Sequence, residues 1–349
     1  MIREDGGMPF LLQYENVAWY ENGKVRILDR RVFPEVRFAT CNTYQEVRQA
    51  VADMVTQSAG PYTAMGMGMA LAAHECRGKA KSEQLAFLKQ AAYDLAHARP
   101  TTANRYGVIT NRAYELAAAA LAAGENPVDA IVADTIESMN RRYSTMQIVG
   151  DNLCKLIPEG GTILTQCYGE TIIGTVIRAA MKQNKSFKVF CAETRPYLQG
   201  ARLTSSCFAQ MGFDTTVISD NMVAYAMQHE SISLFTSAAD SIARDGHIAN
   251  KVGTFQIAIL AKYFGIPYYT TGIPDADKMS KDDIVIEMRD PELVLNYRGI
   301  RNTVDGVKAI YPSFDVVPPH LISGIVTDKG VYVPYTLNEY FNQDTKQFY

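Results

Sequence analysis

This 349-residue chain is informative first for what it lacks. Its six cysteines (Cys41, Cys76, Cys154, Cys167, Cys191 and Cys207) are scattered, with no C-x-x-C pair. That argues for reduced thiols and against a disulfide framework or a zinc knuckle. The five histidines show neither H-x-x-x-H nor H-E-x-x-H spacing, so no dedicated metal site is expected. A P-loop and a G-x-S-x-G elbow are both missing. A formal net charge of −3 gives no electrostatic reason to expect nucleic acid or an anionic membrane as partner. The longest apolar runs, such as "YELAAAALAAG" over 114–124, fall short of a membrane span. The start, "MIREDGGMPF", lacks the basic and then apolar order of a signal peptide. The expected compartment is the cytosol.

What is present reads as an ordinary globular chain, 47% hydrophobic and 20% charged, long enough for two domains and a large core. Residues 16–33, "NVAWYENGKVRILDRRVF", predict a hairpin turning at Asn22-Gly23. From Thr43 the apolar residues Val47, Ala50, Val51, Met54 and Val55 fall at helical spacing. Alanine-rich helices with one apolar face are expected over roughly 63–77, 82–97, 103–123 and 127–147. From about Gly160 short apolar strands alternate with amphipathic helices: "TILTQ", "SFKVFCA", "TTVIS", "SISLFTSA" and "IPYYTTG" are the strands. That rhythm predicts an α/β fold, with a Rossmann-like, doubly wound parallel sheet over 148–349. A smaller, mostly helical domain with a short β-meander is expected over 1–147.

In such sheets ligands bind beyond the carboxyl ends of the strands. The residues that follow successive strands here are Cys167, Glu193 to Gln199, Asp220-Asn221, Asp240 and Asn250-Lys251, and their alignment points to a functional cleft. Cys167 is either a small packing residue or, at a strand end, a reactive thiol. Asp240 is either a helix cap or an acid kept protonated by Ala238, Ala239 and Ile242. Asn250-Lys251 is expected to open a helix, as a solvated cap or as an anion site built on free N–H groups and an ammonium. Arg99, before Thr101-Thr102 and another helix start, has the same two readings. "MGMGMALAAH" over 65–74 lacks the third glycine of a dinucleotide loop and is assigned to close helix packing.

Longer motifs carry a resemblance. "WYENGKVRILDRRVFP", "ARPTTAN", "LTQC", "ETRPYLQGARLT", "ISDNM", "AADSIARDGHIANKVGT", "RDPELV" and "VTDKGVYVP" span most of the chain. They resemble the methylthioribose-1-phosphate isomerase family, which is related to the regulatory alpha, beta and delta subunits of translation initiation factor 2B. The resemblance implies a cofactor-independent aldose–ketose isomerase acting on a pentose 1-phosphate, assembled as a homodimer. It implies Cys167 and Asp240 as the catalytic pair, and Gln199, Arg99, Asn250 and Lys251 as substrate contacts. Glu193 and Arg195 are then expected to pair and fix the loop. Two departures stand out. The family's Arg-Gly-Ala-Pro becomes Ser58-Ala59-Gly60-Pro61, which assigns Ser58, Ala59 and Gly60 to the substrate wall without the arginine. The loop after Cys167 is also short, closer in length to the archaeal ribose-1,5-bisphosphate isomerases. The alternatives are therefore a 5-deoxyribose 1-phosphate or ribose 1,5-bisphosphate isomerase, or a non-catalytic sugar-phosphate-sensing subunit.

Overall fold

The computed structural model describes residues 3–99 and 103–342. The chain divides into two compact units, and the division falls between Ser144 and Thr145. In the first unit, β1 (Ala18–Glu21) and β2 (Lys24–Leu28) form the expected hairpin, with Glu21 opposite Lys24. Asn22 and Gly23 adopt φ of 50° and 75°, the paired left-handed conformation whose twist suits a two-residue hairpin. β3 (Phe38–Cys41) pairs with β2 and completes the meander.

Five helices follow. α1 (Tyr44–Ala52) is capped by Thr43, whose hydroxyl accepts the Glu46 N–H. α2 (Gly60–Cys76) starts on Pro61 and is buried along nearly its whole length. A Cβ on its Gly66 would lie 2.3 Å from Thr135 Oγ1, and one on Gly68 3.0 Å from Val47, so both glycines serve close packing. α3 (Lys81–Ala96) and α4 (Ala103–Ala123) pack on it and on each other, and α4 buries Tyr106, Thr110, Ala113, Ala117 and Ala120. α5 (Pro127–Leu156) runs a further two turns or so beyond the expected end, and the division between the units lies inside it.

The second unit is built on β4 (Thr162–Gln166), α6 (Glu170–Lys182), β5 (Lys188–Ala192), α7 (Ser205–Gln210), β6 (Thr215–Ile218), α8 (Val223–His229) and β7 (Ile232–Ala238). It continues through β8 (Ser241–Ile242), β9 (Ile248–Lys251), α9 (Thr254–Tyr263), β10 (Tyr268–Thr271), α10 (Glu292–Leu295), β11 (Asn296–Tyr297) and β12 (Ile300–Arg301). The last strands are β13 (Phe314–Val317), β14 (Gly324–Thr327) and β15 (Gly330–Tyr332). The main sheet has the order β15-β14-β10-β7-β4-β5-β6, all parallel except the edge strand β15. All five residues of central β4 are buried, as a strand covered on both faces requires. A second, antiparallel sheet, β13-β9-β8, corrects one expectation. Asn250 and Lys251 do not open a helix. They end β9, opposite Asp315 and Phe314, and α9 starts only after Gly253 has turned the chain at φ 103°.

Candidate functional site

The site of the second unit gathers where β4, β5, β7 and β9 end. Gln166, the last residue of β4, is buried, and its amide donates to the Lys251 carbonyl (3.1 Å) and to the Thr254 hydroxyl. The next residue, Cys167, takes φ 60°, so the chain leaves the sheet in a left-handed step. Two threonines hold that step. The Cys167 N–H donates to Thr194 Oγ1 (2.8 Å), and the Thr204 hydroxyl donates to the Cys167 carbonyl. Thr194 in the loop after β5 and Thr204 just before α7 thus hold the backbone of the cysteine from both sides.

The loop itself is fixed by Asp220, not by the expected Glu193–Arg195 pair. Asp220 accepts the backbone N–H groups of Thr194 (2.8 Å) and Arg195 (2.7 Å). The Arg195 guanidinium instead reaches the carbonyls of Val294 and Asn296, both at 3.3 Å, and lies over the Tyr297 ring. Gly200 lets the loop close on the sheet, since a Cβ there would come within 1.8 Å of the Ala192 carbonyl oxygen. Beside it, Gln199 is 1% exposed and its side-chain oxygen has no hydrogen-bond partner among the described residues. A buried acceptor left unmatched suits a hydroxyl-bearing ligand.

Lys251 and Asn250 are buried at 4% and 2% exposure, so the solvated-cap reading fails for both. Asn250 donates to Thr254 Oγ1 (3.0 Å), and the Lys251 ammonium sits 4.6 Å above the Phe314 ring. Two N–H groups at the helix start are not open to an outside anion. Those of Gly253 (2.7 Å) and Phe255 (3.1 Å) are taken by the Asp315 carboxylate, whose pKa burial pushes up to about 6. Anion binding here would therefore fall to the Lys251 side chain rather than to the dipole of α9.

Asp240 follows β7, and its N–H donates to the Ala249 carbonyl (2.9 Å), which sets it beside Asn250. It is exposed, while Ala238 and Ala239 are half-buried and only Ile242 is fully buried. Desolvation by those three neighbours, the expected reason for a protonated Asp240, is thus not present. The Cys167 thiol is half-buried, and burial pushes its pKa up to about 11; Lys251 and Arg289 draw it down, and Asp240 pushes it up. All three charged groups are therefore close enough to feel the sulfur.

Sequence reasoning passed over Arg289 and Tyr311. Arg289 donates to Ser313 Oγ (2.5 Å), and Ser313 receives the Val252 N–H on its carbonyl (3.2 Å), so the guanidinium lies one step from Lys251. Tyr311 is buried, and its hydroxyl pKa is raised by burial, with Arg289 opposing and Cys167 adding to the rise. The motif "RDPELV" held the only hint. No local pattern ties it to β9, because the link runs through a strand pair some sixty residues apart in sequence.

Ser58, Ala59, Gly60 and Arg99 belong to the first unit. Ser58 is left-handed at φ 60°. Beneath this turn lies Arg30, fully buried, donating to the Gln57 carbonyl (2.6 Å). A Cβ on Gly60 would fall 2.0 Å from Thr56 Oγ1 and 3.0 Å from Arg30 Nη1, so this turn is packed as tightly as it can be. Arg99 is half-buried between α3 and α4; Thr101 and Thr102 lie outside the described residues.

The initiation factor 2 subunit family model matches residues 60–334. The methylthioribose-1-phosphate isomerase of Desulforudis audaxviator is 37% identical over 341 residues, covering 90% of this chain and 94% of its own. Among solved structures, the 5-methylthioribose 1-phosphate isomerase of Pyrococcus horikoshii superposes with a TM-score of 0.80 at 30% identity, covering 97% and 96% of the two chains. A translation initiation factor eIF-2B delta subunit from A. fulgidus follows at 0.79 and 28%, covering 93% and 98%.

Proposed function

The chain belongs to the initiation factor 2 subunit family, among its methylthioribose-1-phosphate isomerases, and we propose that it converts 5-methylthioribose 1-phosphate to the corresponding ribulose 1-phosphate. The observation that carries the reading is the meeting of Cys167, Asp240 and Lys251 at adjoining strand ends, which a pure binding module does not need. A sugar esterified at its anomeric oxygen cannot open freely, so an acid must protonate the ring oxygen; Asp240 takes that role. Hydrogen then moves from C2 to C1 beside Cys167. Gln199 and Asn250 orient the sugar hydroxyls, and Lys251 holds the phosphate with Arg289 behind it; Arg99, Ser58, Ala59 and Gly60 are further substrate contacts that the family resemblance implies.

Purified protein incubated with 5-methylthioribose 1-phosphate is expected to yield ketose. Lys251→Ala is expected to raise KM by about 10- to 100-fold, the effect of losing one charge-assisted contact worth about 1.5–3 kcal/mol. No ketose from the wild-type enzyme would sink the reading, and an unchanged KM in the variant would remove Lys251 from the phosphate site.

We also place the chain in a homodimer, formed by the second unit. The exposed apolar residues do not lie mainly on α4 and α5. Phe255, Ile259 and Tyr263 form an i, i+4, i+8 stripe on α9, 37%, 46% and 79% exposed, and Met222 and Tyr225 lie just before and on α8, which packs against α9. Such a patch suits a two-fold contact. Light scattering should give twice the 38.7 kDa chain mass, and a monomer mass at micromolar concentration would contradict it. The six free thiols fit a reducing compartment such as the cytosol.

A further inference from the structure

A narrow pocket in the first unit lies among α2, α4 and α5, lined by Thr63, Arg112, Asp134, Ser138, Arg141 and Arg142, among others. Its charges do not balance. Arg112 is matched by Asp134, with Nη2 2.6 Å and Nε 2.8 Å from the carboxylate. Arg141 gives only its Nη1 to Glu137, at 2.7 Å, and its Nε and Nη2 are buried without an acceptor. Arg142 is 3% exposed, and among the described residues its one hydrogen bond runs from Nη2 to the Thr63 hydroxyl at 3.2 Å. Its Nε has no acceptor, and among the described residues no carboxylate pairs with it.

A buried guanidinium without a counter-charge is strongly unfavourable, because it has lost water and gained nothing of opposite sign. Two adjacent arginines that together leave three buried guanidinium nitrogens without acceptors form a fork suited to carboxylate or phosphate oxygens. We propose that this pocket is an anion site, with Arg141 and Arg142 as ligands for one compact oxyanion, a phosphate group or a carboxylate. The site shares no residue with the sugar-phosphate contacts assigned above and does not rest on the isomerase reading.

The test uses the full chain carrying Lys251→Ala, so that the sugar-phosphate site contributes little. Thermal unfolding is followed at constant ionic strength in chloride, in chloride with 10 mM phosphate, and in chloride with 10 mM acetate. A Tm rise of about 3 °C with an oxyanion is expected, the size produced by ligand at roughly ten times its Kd. A rise with phosphate alone assigns a phosphate group, a rise with acetate alone assigns a carboxylate, and a rise with both leaves the shared oxyanion chemistry as the ligand. Adding Arg142→Met should abolish the rise and lift the Tm in chloride alone, since the unmatched charge is gone. Adding Arg141→Gln instead keeps the buried arginine and should at least halve the rise, which provides a second reading if Arg142→Met folds poorly. No rise with either anion, or an equal rise in both added variants, overturns the proposal.

Discussion

Cys167→Ser and Asp240→Asn are each expected to lower kcat by about two orders of magnitude or more, with KM moving by less than about threefold. The size follows from their placement. Cys167 is held by Thr194 and Thr204 in a left-handed step at the end of β4, which fixes where its side chain leaves the sheet. With its pKa pushed up to about 11, Cys167 is a neutral thiol at pH 7, and the phosphate of a bound substrate adds further charge of the sign that keeps it so. The activity carried by a neutral thiol should be flat between pH 7 and 9. A rate climbing tenfold per pH unit across that range would mean that the thiolate is the working form, present only in trace at neutrality. The charged neighbours supply a cross-check on the same atom. Asp240 raises the thiol pKa, so iodoacetamide should modify Cys167 faster in Asp240→Asn than in the wild type. Arg289 lowers it, so Arg289→Gln should slow the modification. Near-normal turnover in either catalytic variant would remove that residue from the mechanism, whatever the alkylation rates.

The parts of this fold that were legible in the sequence are those whose partners are local. "TILTQ" is β4 residue for residue, because a central parallel strand must be apolar on both faces and its ends are marked by polar or small residues. Asn22-Gly23 fixed the hairpin because few other residue pairs accept two left-handed positions in succession. The failures share the opposite property. Asn250-Lys251 reads as a helix start because its strand identity depends on β13, whose Phe314 and Asp315 sit opposite Lys251 and Asn250 from far along the chain. The same distance hid Asp315 as the residue that fills the start of α9. Glu193 and Arg195 are two residues apart and of opposite sign, which suggests a pair; in the turn after β5 the Arg195 guanidinium goes instead to the carbonyls of Val294 and Asn296, and the carboxylate that organises the turn comes from the next strand end, Asp220. Asp240 followed a strand in an apolar stretch, and neighbours in sequence did not become its enclosure in space.

Ser58→Arg is expected to lower KM for 5-methylthioribose 1-phosphate by about tenfold or more, one charge-assisted hydrogen bond's worth. The family's arginine offers charge and a planar fork at this turn; serine offers neither charge nor reach. The substitution should be tolerated by the backbone, because Ser58 already carries the left-handed φ of 60° that an arginine would have to adopt. Arg30, which lies under the turn, is not a ready substitute: one end of its guanidinium is committed to the Gln57 carbonyl and the residue is fully buried. Rebuilding the whole family motif should fail where the single change succeeds. Gly60→Ala would drive a Cβ to 2.0 Å from Thr56 Oγ1, and overpacking of that kind costs about 1–3 kcal/mol of stability. The wild type should accordingly bind 5-methylthioribose 1-phosphate more weakly than an arginine-bearing relative, and a panel including 5-deoxyribose 1-phosphate and ribose 1,5-bisphosphate would show whether another 5-substituent is preferred. A wild-type kcat/KM at or above about 10⁴ M⁻¹s⁻¹ for 5-methylthioribose 1-phosphate, unimproved by Ser58→Arg, would mean that another residue supplies the grip. Binding of a pentose 1-phosphate without turnover of any would instead favour a sensing subunit, in which a wall without the arginine has no transition state to hold.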